Sequence, residues 1–125
     1  MKMIVNKYEN IVSVDVDETL IMHDHEKYPQ LPKVHLNYYG HDKICAVHTE
    51  HVILIKAYQK RGFWVRVNSN NGWKWAEKVV DALDLRDFVN EVCTKTSKYM
   101  DDHKDAAQVC GQHVYIPIIE GVTVK

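Results

Sequence analysis

The chain has 125 residues, enough for one real hydrophobic core and too few for two domains of ordinary size. Hydrophobic residues make up 46% and charged residues 26%, with a net charge of −1, so it reads as an ordinary globular protein without the basic excess that long nucleic acids attract. No apolar run approaches the ~18 residues of a membrane span. The start, "MKMIVNKYEN", has no long apolar core and no small-residue cleavage site, so the expected location is cytoplasmic with no membrane partner. Three cysteines, Cys45, Cys93 and Cys110, are odd in number, far apart and without a C-x-x-C, as expected of free thiols in a reducing compartment.

Taken in chain order, the first element is Ile11–Val16, a nearly continuous apolar run expected to be a strand covered on both faces. Lys33–Asn37 alternates, with Val34 and Leu36 on one side, and after the Gly turn of "YYGHD" the run "KICAV" returns as the second arm of a hairpin. Thr49 is the expected N-cap of a helix through about Lys60, ended by Gly62. Phe63–Asn68 is a second core strand, although Arg66 and Asn68 make it more polar than a central strand usually is. Asn70–Asn71–Gly72 then opens a helix whose Trp73, Ala76, Val80 and Leu83 form a buried stripe, leaving Trp75 outside it as an exposed contact or subunit interface. Val89–Val92 and Lys98–Met100 are short strand candidates, His103–Val109 a helix and Val114–Ile116 a last strand. Alternation of this kind predicts an α/β domain over residues 1–125, three-layered and Rossmann-like. Its sheet is mainly parallel, with a small β-hairpin insertion at about 21–48.

In such folds ligands bind beyond the carboxyl ends of the strands. Asp15 and Asp17, Ser69, and Asp101 with Asp102 all fall at ends of that kind. If both acidic pairs share one edge, each pair of unit charges ~5 Å apart repels by roughly 3 kcal/mol at an effective dielectric of 20. A bound cation resolves that repulsion, and hard oxygen ligands with open positions suit Mg²⁺.

Asp15-Val16-Asp17-Glu18-Thr19-Leu20 after an apolar strand resembles the first signature of the haloacid dehalogenase-like superfamily, most of whose members are phosphatases. Ser69 at a strand end is similar to the second signature. A lysine followed by Asp101-Asp102 is similar to the third and fourth, so that the ordered set runs over roughly residues 11 to 116. The resemblance implies a Mg²⁺-dependent phosphomonoesterase with Asp15 as nucleophile, Asp17 as acid and base, and Ser69 with Asn70 and neighbouring amides holding phosphate. Lys95 or Lys98 would neutralise charge; Lys95 is favoured because Lys98 lies within a short strand and can point away. Magnesium would be held by Asp15, Asp17 through its backbone carbonyl, and one or both of Asp101 and Asp102.

Neither interval between the signatures can house a separate cap domain. The site is therefore expected to be open, for a phosphorylated small molecule, a nucleotide or a nucleic-acid end, with a homo-oligomer also compatible. His23, His25, His35, His41, His48 and His51 crowd the hairpin region without zinc-ligand spacing. They are expected mostly at solvent-facing positions, with His23, His25 or Asp24 near substrate as the functional option. A phospho-accepting receiver-like module or a catalytically silent relative remains the alternative; a receiver would carry its acidic pair early and its acceptor aspartate in mid-chain.

Overall fold

A computed structural model describes residues 10–98, 100, 102 and 111–119. It is a mixed α/β structure with two small sheets. The first strand, β1 (Ile11–Asp15), is followed by a tight turn and by β2 (Ile21–Met22). The hairpin is β3 (Lys33–Tyr38) and β4 (His41–Val47), after which come α1 (Thr49–Lys60), β5 (Trp64–Ser69), α2 (Trp73–Ala82) and β6 (Glu91–Thr94). Strands β1, β5 and β6 are parallel in the order β1-β5-β6, whereas β2, β4 and β3 form an antiparallel sheet in that order.

The hairpin closes at Tyr39–Gly40, both with positive φ, which lets a two-residue turn match the twist of its arms. It is not an appendage. Leu36 and Cys45 from the hairpin share one buried cluster with Val14 of β1, Ile55 of α1, Val65 and Val67 of β5, and Val79 and Val80 of α2. Helix α2 packs against β5, β6 and β3 and so ties the two sheets together.

Several expectations need correction. Strand β1 is not covered on both faces: among the described residues it is the edge of its sheet, and its burial alternates, with Ile11 and Ser13 exposed and Val14 buried. The polar residues of the central strand β5 are explained by cross-strand partners. Asn68 donates to the Ser13 hydroxyl (2.6 Å), and the Arg66 guanidinium bonds Glu91 of β6 (2.5 Å).

On α2 the buried face is Trp75, Ala76, Val79 and Val80, while Trp73 stays 48% exposed. The two tryptophans exchange their expected roles because Trp75 finds a hydrogen-bond acceptor for its indole N–H inside the protein, which a buried indole needs. The N-cap of α1 is His48 rather than Thr49. Lys98, Met100 and Val114–Ile116 belong to no strand. The expected helix His103–Val109, together with Cys110 and Asp101, lies outside the described residues; Cys45 and Cys93 are free thiols.

Candidate functional site

The end of β1 meets the end of β5 because the two strands pair in register, Asp15 beside Asn68. Past Asp15 the chain folds back at once. The amides of Thr19, Leu20 and Ile21 all bond the Val16 carbonyl, and Glu18 takes φ +61° to make the bend. This turn leaves Asp15 and Asp17 at the same edge with different neighbours.

Asp15 keeps an accessible carboxylate, 32% exposed. The Thr19 hydroxyl donates to its Oδ2 at 3.2 Å, and the Lys95 ammonium stands 3.7 Å from its Oδ1. Lys95 follows β6 directly, and its amide bonds the Ser69 carbonyl, which brings the third strand end to the same edge. Lys98 is exposed, in no strand, and has no described contact with either aspartate.

Asp17 is surrounded. His23 Nε2 lies 2.7 Å from Oδ1, and the Trp75 indole N–H donates to the same oxygen at 3.0 Å. The Ser69 hydroxyl and the Asn71 side-chain amide donate to Oδ2 at 3.0 and 3.1 Å. Burial pushes the Asp17 carboxyl up, but these bonds outweigh it, His23 foremost and then Trp75, Ser69 and Asn71, and hold it below its usual value. An ionised carboxylate only accepts, so His23 presents Nε2–H to it. The other ring nitrogen faces the Cys45 sulfur at 3.8 Å. Cys45, His23 and Asp17 thus stand in the order of a nucleophilic triad, but Cys45 is wholly buried and burial pushes its thiol up, so no substrate reaches a thiolate there.

Ser69 is itself buried, and its hydroxyl also accepts from the Asn71 amide at 3.0 Å. Its expected phosphate-holding hydroxyl is therefore occupied within the protein. Asn70 is exposed in the turn before α2. The first helical amide, that of Trp73, is capped by the Thr94 hydroxyl at 3.0 Å. No family model, no curated protein and no solved structure matches this chain.

The donor set bears on the expected cation. Mg²⁺ asks a protein for one or two carboxylates and takes the rest from water and phosphate. The accessible Asp15 carboxylate meets that requirement; the Asp17 carboxylate, saturated by four donors, does not, which leaves its backbone carbonyl. Asp102 is exposed in a bend, and among the described residues no three acidic, histidine or cysteine side chains gather as a metal cluster. The expected convergence of four carboxylates includes Asp101, which lies outside the described residues; among those described, a ring of hydrogen-bond donors offsets the charge of Asp17.

Four further residues support the aspartates or their turn through contacts other than those expected: Thr19, Asn71, Trp75 and His51. Thr19 was legible, four residues after Asp15 within the same signature. Asn71, Trp75 and the buried His51, whose Nδ1 bonds the Thr19 carbonyl at 2.7 Å, carried no local signal. His23 bonds Asp17 of the first signature, whereas His48 and His51, expected at solvent-facing positions, are buried. A cleft of about 330 Å³ lies apart from this edge, between α2 and β6, with Trp73, Glu77 and Arg86 among its walls. It holds none of the expected site residues.

Proposed function

We propose that this protein is a Mg²⁺-dependent phosphomonoesterase that works through a phospho-aspartate on Asp15. The observation that carries the reading is the pairing of an accessible carboxylate at the end of a parallel strand with the Lys95 ammonium, 3.7 Å away and contributed by another strand end. A three-layer Rossmann-like arrangement of the haloacid dehalogenase type, with its site beyond the carboxyl ends of β1, β5 and β6, is part of the same proposal.

In this reading an Asp15 oxygen attacks phosphorus, the ester P–O bond breaks, and the leaving oxygen takes a proton relayed through Asp17. Water then attacks the aspartyl-phosphate, giving its proton to Asp17 and releasing phosphate. Lys95 stabilises charge that develops on the transferring group, and Thr19 orients the carboxylate that attacks. Asp15, the Asp17 backbone carbonyl and one or both of Asp101 and Asp102 would hold a divalent cation, which would supply charge neutralisation. Substrates of the expected class are phosphorylated small molecules, nucleotides or a nucleic-acid end.

One feature favours a second reading, a phospho-accepting module that turns over slowly. Ser69 and Asn71 spend their donors on Asp17, whose low pKa opposes the protonated form that a general acid needs. Phosphate release from a panel of nucleotides, sugar phosphates and phosphorylated oligonucleotides, with Mg²⁺ and with chelator, separates the two. Multiple turnovers that stop in Asp15→Asn support the phosphatase. Stoichiometric labelling of Asp15 by acetyl phosphate without turnover supports the module, and neither result from folded protein overturns both.

A further inference from the structure

Two buried histidines stand beside the carboxylate edge and take no part in the proposed chemistry. His48, at the N-cap of α1, is 1% exposed and His51, one turn later, 5%. Their rings stack with centroids 3.5 Å apart and planes 7° from parallel. Every ring nitrogen is used. The Ile116 amide donates to His51 Nε2 at 2.9 Å, so the His51 proton sits on Nδ1 and is donated to the Thr19 carbonyl at 2.7 Å. The His51 amide donates to His48 Nδ1 at 3.2 Å, so the His48 proton sits on Nε2 and is donated to the Ile116 carbonyl at 2.7 Å. The bonding makes both rings neutral, in opposite tautomers, and together they grip both backbone groups of one residue. Tyr115 sets its ring edgewise against both, 6.0 and 5.0 Å between centroids, and its hydroxyl donates to the Glu18 carbonyl at 3.2 Å.

We propose that the stacked His48–His51 pair is a pH-operated clasp that holds the C-terminal segment at Tyr115 and Ile116 against the turn after β1, closed while both rings are neutral and opened when they take up protons. A proton on His51 Nε2 turns the acceptor of the Ile116 amide into a donor facing a donor. One on His48 Nδ1 does the same to the His51 amide, and two cationic rings in contact repel. Among the described residues, the other titratable groups facing the pair are Glu50 on α1, Glu18 in the turn and Tyr115 on the segment. Burial pushes His51 down and the neighbouring His48 adds to this; the bond to the Thr19 carbonyl and the Glu50 charge oppose it without prevailing. With its folded pKa below the ordinary ~6.5, His51 contributes fully above that pH and the contribution is lost as pH falls through the lower folded value. Thr19 also orients Asp15, so opening would loosen the nucleophile's support. That last consequence rests on the phosphatase reading, but the clasp itself does not.

Nuclear magnetic resonance of the ¹⁵N-labelled full chain tests it without any phosphate chemistry. Near pH 8 the ring nitrogens should report the Nε2–H tautomer for His48 and Nδ1–H for His51, with the Ile116 amide protected from exchange. Towards pH 5 its protection factor should fall at least about tenfold in step with ring protonation. A His48→Gln/His51→Gln variant replaces one donor and one acceptor with groups that do not titrate, and its Ile116 protection should stay within about threefold across the same range. An Ile116 amide unprotected at pH 8, or one whose protection persists through protonation of both rings, overturns the clasp. Should the double variant not fold, the wild-type titration decides alone.

Discussion

Asp15 and Asp17 leave one strand two residues apart and arrive in different chemical settings. Their exposures are not far apart, 32% against 21%. Their partners differ much more: one hydroxyl and a neighbouring ammonium for Asp15, four hydrogen-bond donors from β5, α2, the turn between them and the segment after β2 for Asp17. The count of donors, rather than burial, separates a carboxylate with oxygen lone pairs left for a reaction partner from one whose charge serves to organise its surroundings. Asp17 collects the ends of elements that are distant in sequence, and Asp15 is left facing outward.

The sharpest test of this contrast is Asp15→Asn. Mg²⁺-dependent phosphate release should fall by roughly 10⁴-fold or more. The urea unfolding free energy of the same variant should move by less than ~1 kcal/mol, because the half-exposed pair with Lys95 contributes little. A large loss of stability there would erase the distinction between the two aspartates. Lys95→Met should lower steady-state phosphate release by about 10²–10³-fold, the scale of a lost charge-stabilising group, and Lys98→Met should leave it within about twofold. Equal effects of the two would show that the 3.7 Å pair is not used.

Asp17→Ala should show the reverse balance on stability. It strands the Trp75 indole, the Ser69 hydroxyl and their companions without an acceptor, and should cost about 2–3 kcal/mol in urea denaturation at neutral pH. Trp75→Phe keeps the ring and removes one donor. A loss of about 1–2 kcal/mol is expected, with an upward shift of the Asp17 carboxyl in a ¹³C titration, while Trp73→Phe should stay within ~0.5 kcal/mol.

The smallest effect is a pH dependence. Since the folded pKa of Asp17 lies below its ordinary ~3.9, its contribution is fully present above that pH and is lost as pH falls through the folded value. The stability gap between wild type and Asp17→Ala should therefore be flat above about pH 5 and narrow on acidification below pH 4. A gap that widens with acid would reverse the assignment.

Much of the framework was legible because it rests on short-range chemistry. The hairpin around Tyr39–Gly40, the helix ending at Lys60 and the strand ending at Ser69 follow from alternation, a glycine turn and a helix stop acting over a few residues. The burial of β1 is not legible, because an apolar run looks the same at a sheet edge and at its centre, and neighbour strands are not written locally. The buried stripe of α2 escapes the sequence for a related reason. Trp73 and Trp75 both fit an amphipathic helix, and the choice fell to an acceptor 58 residues earlier in the chain.

An alternating α/β chain with D-x-D at the end of its first strand follows from local backbone preference and hydrophobic period, which need only neighbouring residues. Tertiary structure decided which of the two carboxylates is saturated and which is accessible, and it set the tautomers of His48 and His51. Those outcomes depend on donor–acceptor distances near 3 Å between elements separated by tens of residues, and only packing of the whole fold fixes distances of that kind.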